Sequence, residues 1–216
     1  MSCINGDHAK VNPQLKQLYG ENGTVVTSIE GLLTDAESQY LLDRADGLFT
    51  RSTVTADDGG NRLDEARTSS SAFLPKSDDE IISCIENRIA TYALHPVKHL
   101  EPLQVTDYTN KQQYTYHHDY FDCKDGKPDR TTTVFSYLKS EGLEDGLCGG
   151  ATAFGKLKDA DGNELKVYPK RGNAVMWSNR TFTGNVNSDT LHSGEAVACA
   201  NAHKTGLNAW FRDSPW

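Results

Sequence analysis

The sequence contains no long hydrophobic run and no excess of basic side chains. No stretch of its 216 residues approaches the ~20 apolar residues that a membrane-spanning helix needs. Its 22 basic side chains are outnumbered by 30 acidic ones, so the net charge of −8 offers no general positive field to a polyphosphate backbone. Residues 1–7 have neither the basic head nor the apolar run of a secretory signal. We therefore expect neither a membrane protein nor a nucleic-acid-binding protein.

Cysteine is scarce and scattered. The five cysteines are odd in number and form no C-x-x-C pair: Cys3, Cys84, Cys123, Cys148 and Cys199. This distribution argues against a disulfide framework and against a structural zinc site. It predicts reduced thiols and favours the cytoplasm, with secretion and one or two bridges as the alternative.

The chain also lacks internal repeats, low-complexity tracts and a Pro-, Gly- or Ser-rich linker between two halves. At this length roughly 70% of the unfolded surface can be buried, so one core needs no metal ion or disulfide to be stable. We predict a single domain over residues 24–216, preceded by an N-terminal extension over residues 1–23 for which we expect flexibility. A monomer is the default expectation.

Two helices are predicted in the first half. Thr34 and Glu37 form a capping box, and apolar residues then follow at helical spacing, which predicts a helix from about 35 to 48. An acidic start at Ser77 and an isoleucine stripe predict a second helix, which ends before Pro96.

After Pro96 the sequence changes to short β-branched and aromatic runs separated by Gly, Asn and Asp. These runs cover residues 102–109, 113–121, 131–138, 150–154, 165–168, 173–178, 190–199 and 206–212. Many short strands at this spacing indicate a sandwich or barrel and disfavour a parallel sheet. The expected fold class is mainly β, with flanking helices packed on a barrel-like core.

One pair of residues on these strands has the spacing of metal ligands. His117 and Asp119 are two residues apart, so on a strand both side chains project to the same face. His192, on another predicted strand, is a candidate third ligand, and two imidazoles with one carboxylate form the facial triad of non-heme Fe(II) oxygenases. By itself H-x-D is a weak signal, because a solvated strand histidine and a turn-capping aspartate give the same letters.

The surrounding residues make the signal specific. The joint pattern resembles the prolyl 4-hydroxylases of the collagen-modifying and plant or microbial branch, over roughly residues 25–213. It consists of Arg67–Leu74, Leu103–Val105, Tyr108, Gln113–Tyr114, His117-x-Asp119, Arg130–Thr133, Tyr137–Leu138, Gly149–Phe154, Val167–Val175, Leu191–His192, Lys204, Asn208 and Trp210.

This resemblance implies a double-stranded β-helix (jelly-roll or cupin-like) core that binds Fe(II) through the three candidate ligands. It also implies 2-oxoglutarate as co-substrate, with Lys204 pairing to its distal carboxylate and with Tyr108 and Thr152 hydrogen-bonded to it. A buried carboxylate needs such a cation, because an unpaired one costs several kcal/mol. Ascorbate is implied as the reductant. One departure is the 12-residue step from His192 to Lys204, about two longer than usual in the family. Either the turn carries an insertion, or Lys204 faces away and another cation replaces it.

The resemblance further implies a peptide groove lined by Tyr114, Arg130 and Trp210. A polyproline II peptide presents flat rings and free carbonyls, which aromatic platforms and an Arg donor suit. Core packing is the competing interpretation of Tyr114 and Trp210. Two polar, Gly-containing segments, 55–66 and 179–189, are candidate lids.

The expected activity is 4-hydroxylation of peptidyl proline, with a proline-rich or collagen-like peptide and dioxygen as partners. Decarboxylation of 2-oxoglutarate would yield succinate. One alternative keeps the metal site and takes free proline, lysyl residues or another small molecule as acceptor. A second alternative is a catalytically silent peptide-binding module.

Overall fold

The computed structural model describes residues 1–7, 9–55, 61–62, 64–121, 128–143 and 145–216. Its helices are α1 (Asp35–Ala45) and α2 (Glu80–Ala93), with two 3₁₀ turns at Val97–His99 and Ser188–Thr190. The strands, in chain order, are β1 (Gln14–Glu21), β2 (Thr24–Glu30), β3 (Thr50–Arg51), β4 (Val54–Thr55), β5 (Asn61–Arg62), β6 (Ser70–Leu74), β7 (Leu103–Thr109), β8 (Tyr114–His117), β9 (Arg130–Glu141), β10 (Thr152–Lys158), β11 (Glu164–Val167), β12 (Ala174–Ser178), β13 (His192–Gly194) and β14 (His203–Arg212).

Two antiparallel sheets form the body of the protein. The large sheet has the order β1-β2-β12-β9-β14-β7-β6-β3, the small sheet has the order β11-β10-β13-β8, and β4 pairs with β5 alone. An aromatic and aliphatic cluster joins the facing sheets, with Phe135 and Trp177 from the large sheet against Phe154 and Leu165 from the small one. The predicted fold class, a β jelly roll with flanking helices, is confirmed.

The outer face of the large sheet is covered by the two helices. Ile82, Ile85 and Ile89 on α2 and Leu41 on α1 are fully buried in one cluster with Val105, Leu207 and other residues of the sheet. Burying the apolar stripe of each helix against a sheet is the main stabilising contribution that these helices make. Among the described residues, no helix combines the length and apolar character required to cross a bilayer.

The helix boundaries differ slightly from the predicted ones. The capping box of Thr34 and Glu37 is present, but α1 ends at Ala45, shortly before Gly47 with φ of 74°. Asp79, not Ser77, caps α2, because the Ser77 amide and hydroxyl donate to the buried Glu86 carboxylate. Such tertiary hydrogen bonds give no local sequence signal.

A hairpin near the N-terminus was missed by the sequence analysis. β1 lies inside the segment treated as an extension and pairs with β2 along its length. Asn22 and Gly23 form the turn, both with positive φ, which is a known hairpin signal. β1 itself shows no strand periodicity, because most of its side chains are exposed on this edge strand.

The prediction of reduced thiols is wrong for four of the five cysteines. Cys3 is bonded to Cys84 and Cys148 to Cys199, across sequence separations of 81 and 51 residues. Partners so distant in sequence are brought together only by the fold, so their spacing contains no signal. Cys123 lies outside the described residues.

Candidate metal centre

The pairing of β8 with β13 brings the candidate ligands together. His192 lies opposite His117 in the register, and Asp119 follows just beyond the end of β8. Asp119 Oδ1 is 3.8 Å from His117 Nε2, and Asp119 Oδ2 is 3.6 Å from His192 Nε2. Ligand atoms of all three residues lie within 4.8 Å of one another. The two histidines, 75 positions apart in the sequence, thus meet at one site.

Backbone carbonyls fix the tautomer of each imidazole. Nδ1 of His117 is 2.8 Å from the Thr115 carbonyl oxygen, and Nδ1 of His192 is 2.9 Å from that of Thr190. A carbonyl only accepts, so each Nδ1 carries the proton and each Nε2 presents a lone pair toward Asp119. Metal-ligating histidines in proteins are oriented in this way.

The protonation states also suit a cation. Burial, followed by the neighbouring His192, lowers the pKa of His117 to about 3, and burial lowers the pKa of His192 as well. Burial alone would raise the pKa of Asp119, but His192, His117, Arg130 and the hydrogen bond from Thr133 together outweigh it and lower this pKa to about 2. Two neutral imidazoles and one carboxylate are the ligand forms of a non-heme Fe(II) site, so the donor set fits iron.

Lys204 is directed into the same cavity. It lies opposite Tyr108 in the pairing of β14 with β7 and is only 1% exposed. Its Nζ donates to the Gly150 carbonyl at 2.8 Å and lies 4.5 Å from the centre of the Tyr108 ring. Burial lowers the pKa of Lys204 to about 7, although the charge of Glu195 opposes the change. The turn between β13 and β14 therefore accommodates the longer step, and Lys204 does not face away.

A buried ammonium with spare donors fits an anionic ligand. Among the described residues Lys204 Nζ has one hydrogen-bond acceptor, although an ammonium has three donors. The cavity is lined by the three candidate ligands, Lys204, Tyr108 and Thr152. A dicarboxylate that reaches from the metal ligands toward Lys204 would supply the missing acceptors.

The Thr152 hydroxyl has a neighbour that the sequence analysis did not consider. Its Oγ1 is 2.8 Å from the buried Tyr137 hydroxyl, which also donates to the Val167 carbonyl at 3.1 Å. Tyr137 has one proton, so when it donates to Val167 it accepts from Thr152. Thr152 can donate to a carboxylate only after Tyr137 has turned its proton toward Thr152.

Of the three predicted substrate contacts, two line the cavity and one does not. The Tyr114 ring stacks on His117 with centroids 3.5 Å apart, and both Tyr114 and Trp210 line the cavity. Arg130 does not belong to the cavity lining. Its guanidinium donates twice to the Glu101 carboxylate and lies 3.7 Å from the centre of the Trp210 ring. Arg130 thus supports Trp210 from behind.

Arg67 is a cavity residue that sequence reasoning missed. Its guanidinium donates to Gln104 and lies 4.7 Å from the Tyr114 ring centre. Within the described part of the chain, Nε of Arg67 and Nε1 of Trp210 are buried donors without a hydrogen-bond partner. A single Arg before a run of small polar residues was the available signal, but it was interpreted only as the start of a strand.

Of the two candidate lids, half of 55–66 lies outside the described residues. The other, 179–189, is held to the protein by an ion pair between Arg180 and the buried Asp129. Its Asn187 side chain also donates to the Ser178 carbonyl and accepts from the Thr24 hydroxyl. These contacts tie both ends of the segment to the protein, whereas residues 182–185 in its middle are exposed.

Comparisons with known proteins agree with this geometry. The family model described as the 2OG-Fe(II) oxygenase superfamily matches residues 103–212. Prolyl 4-hydroxylase 2 of Arabidopsis thaliana is 31% identical over 211 residues, which cover 88% of this chain and 68% of that protein. Probable prolyl 4-hydroxylase 10 of the same plant is 33% identical over 83% of this chain and 66% of its own length. The chain thus spans about two thirds of these relatives.

Solved structures show the same architecture. The viral collagen prolyl hydroxylase from Paramecium Bursaria Chlorella virus-1, in its 2OG complex, superposes with a TM-score of 0.66 at 27% identity, covering 88% of this chain and 96% of its own. A Pseudomonas putida prolyl-4-hydroxylase has a TM-score of 0.59 at 18% identity, covering 88% and 92% of the two chains, and supports the fold alone.

Proposed function

The chain belongs to the 2OG-Fe(II) oxygenase superfamily and, within it, to the prolyl 4-hydroxylases, and from this premise we propose that it hydroxylates peptidyl proline at the 4-position. The observation that carries the proposal is one cavity that contains a His-Asp-His set and, in the same lining, a buried lysine. The substrate would be a proline-rich or collagen-like peptide.

In this proposal His117, Asp119 and His192 hold Fe(II), and Lys204 binds the distal carboxylate of 2-oxoglutarate. When bound, the two cofactors activate dioxygen, with 2-oxoglutarate decarboxylated to succinate and a hydroxyl group placed on a ring carbon of the substrate. The chain's own contribution is to fix the ligands, pair the remote carboxylate and exclude water with buried aromatic walls. Phe154 and Trp177 pack beside His192 and serve that last purpose.

The substrate side of the cavity supports a peptide. Two buried donors, Nε of Arg67 and Nε1 of Trp210, have no partner in the described residues, and both residues line the cavity. An extended polyproline II peptide has carbonyls without internal hydrogen bonds, which such donors satisfy. Burial raises the pKa of Tyr114 to about 12, so its hydroxyl stays protonated and its ring is a platform beside the metal ligands. Arg130 acts indirectly by orienting Trp210.

The test is turnover with defined substrates. We would incubate the protein with Fe(II), 2-oxoglutarate, ascorbate and dioxygen, and supply polyproline, a collagen-like repeat peptide or free L-proline in separate reactions. We expect succinate and a mass gain of one oxygen on a peptide, and neither product with His192→Ala. Hydroxylation of free proline or of lysyl residues in preference to prolyl peptides would support the alternative acceptors. Peptide binding without any consumption of 2-oxoglutarate would support the silent module.

We further propose an oxidising compartment as the site of action. The scattered cysteines favoured the cytoplasm only as long as they were read as reduced thiols. Two disulfides between distant cysteines are characteristic of secreted and endomembrane proteins. Mass spectrometry of the protein, isolated from its native source under thiol-blocking conditions, tests the proposed compartment. Four cysteines left unmodified by the blocking reagent would support it.

A monomer remains the expected oligomeric state, and light scattering tests it.

A further inference from the structure

Behind the carboxylate ligand lies a buried polar pair that no part of the proposed function uses. The Thr133 hydroxyl donates to Asp119 Oδ2 at 2.7 Å, and Asn179 Nδ2 donates to Thr133 Oγ1 at 2.9 Å. Thr133 is fully buried and Asn179 is 1% exposed, so bulk water is excluded from both.

The direction of these hydrogen bonds follows from chemistry. An ionised carboxylate only accepts, so Thr133 must direct its single proton to Asp119. The threonine oxygen can then only accept from Asn179, which must present its NH₂ group. Asn179 therefore prevents the hydroxyl from turning away, and Thr133 in turn fixes one oxygen of Asp119.

The same asparagine is connected to the distal histidine. Its backbone carbonyl accepts from the Asn187 amide at 2.9 Å. The Asn187 carbonyl accepts from the Thr190 hydroxyl at 2.9 Å, and the Thr190 carbonyl faces Nδ1 of His192 at 2.9 Å. One residue thus joins the hydrogen-bonded supports of two ligands from different strands.

We propose that Thr133 and Asn179 are positioning residues of the iron site, acting as a relay that orients the Asp119 carboxylate. This inference rests on the proposed function, because it assumes that Asp119 is a metal ligand. Without the relay the carboxylate can rotate about its Cβ–Cγ bond, and metal binding must then supply the ordering that the protein had provided. The predicted result is weaker metal binding in a protein that is still folded.

The experiment titrates Mn²⁺ into the protein and follows free Mn²⁺ by electron paramagnetic resonance. Thr133→Val keeps the shape and removes the donor, so we expect at least tenfold weaker binding, as for other outer hydrogen-bond partners of metal ligands. Thr133→Ser retains the hydroxyl, and we expect affinity within threefold of wild type. Asn179→Ala keeps the backbone contacts, and we expect an intermediate loss.

The double variant provides the decisive comparison. If Asn179 acts through Thr133, then Thr133→Val combined with Asn179→Ala binds Mn²⁺ no more weakly than Thr133→Val alone. Additive losses would overturn the relay, and so would wild-type affinity of Thr133→Val. Thermal unfolding of the metal-free variants identifies any that are misfolded. If Thr133→Val is one of them, Asn179→Ala decides, and wild-type Mn²⁺ affinity of that variant would overturn the relay. Absence of Mn²⁺ binding by the wild type would instead count against the proposed function.

Discussion

At the scale of single residues, Lys204 shows a conflict between stability and ligand binding. Its ammonium is buried with a single acceptor among the described residues, which disfavours the charged form and lowers the pKa of Lys204 to about 7. A protein selected only for stability would place an apolar side chain here. The loss of stability is explained if an anionic co-substrate supplies the hydrogen-bond acceptors that the protein does not provide.

Lys204→Met should separate the effect of the buried ammonium on stability from its effect on co-substrate binding. The unfolded lysine holds its proton up to about pH 10.5, whereas the folded one loses it near pH 7. The unfolded state therefore binds more protons between these values, so the wild type becomes more stable as pH rises from 7 to 9.5, by up to about 3 kcal/mol. We expect the methionine variant to lose this slope and to raise the KM for 2-oxoglutarate at least tenfold. Urea unfolding at several pH values measures the slope, and equal slopes in both proteins would contradict the account.

Gly194 is a second residue with a local requirement. It lines the cavity in β13, and a Cβ built there would be 3.5 Å from Lys204 Nζ and 3.8 Å from the Tyr108 hydroxyl. A methyl group fits at ordinary contact distance, but a longer side chain occupies the space beside the ammonium. We expect Gly194→Ala to be nearly neutral and Gly194→Val to raise the KM for 2-oxoglutarate about tenfold without lowering the melting temperature. Equal KM values for the two variants would show that the co-substrate lies elsewhere.

At the scale of elements, one disulfide packs beside the proposed co-substrate pocket, against the cluster that contains Tyr108. Cys148–Cys199 joins the loop before β10 to the turn before β14. The Ala198 amide also donates to the Cys148 carbonyl, and the Gly150 carbonyl on the same loop accepts from Lys204. The bond therefore ties the turn that precedes Lys204 to the loop that carries its acceptor, Gly150.

The two disulfides offer a matched comparison. Replacing both cysteines of either bond by serine should destabilise the protein by about 4 kcal/mol in the loop-entropy model. Only the Cys148→Ser, Cys199→Ser variant should also raise the KM for 2-oxoglutarate severalfold. The control, Cys3→Ser with Cys84→Ser, frees the N-terminal segment from α2 and should leave that KM unchanged. Denaturant unfolding measures the loss of stability, and steady-state kinetics measure the KM for 2-oxoglutarate. An equal rise of KM in both double variants would show that it follows from lower overall stability and not from a change beside the pocket.

At the scale of the whole molecule, the cavity lies between the two sheets, so its occupants should stabilise the entire fold. Ligands that bind only the folded state at 100 times their Kd contribute about 2.7 kcal/mol, which corresponds to roughly 5–10 °C in melting temperature for a chain of this size.

Thermal unfolding with Mn²⁺ and 2-oxoglutarate tests the linkage. We expect Mn²⁺ alone to raise the melting temperature and 2-oxoglutarate to raise it further only when the metal is present. Lys204→Met should keep the first shift and lose the second, and His192→Ala should lose both. An equal response of the wild type and His192→Ala to Mn²⁺ would show that the metal binds at another site.

The features that could be predicted from the sequence are those that depend on residues close together in the chain. The helix capped by Thr34, the many short strands and the H-x-D spacing follow from capping chemistry and strand periodicity, which act over a few residues. The family resemblance then supported His192, which was already a candidate ligand, and added Lys204 to the prediction. Arg67 was missed as a cavity residue because its role depends on Tyr114 and Gln104, which are far from it in the sequence.

The mainly β fold class, the helix capped by Thr34 and the residue types available for a metal site could be predicted from the sequence, because these depend on short-range spacing and side-chain chemistry. Tertiary structure alone decided which atoms meet: the pairing of β8 with β13, both disulfides, the placement of Arg130 behind Trp210, and the relay from Asn179 through Thr133 to Asp119. Contacts between segments 14 to 81 residues apart depend on how the sheets close, and no local periodicity records that closure.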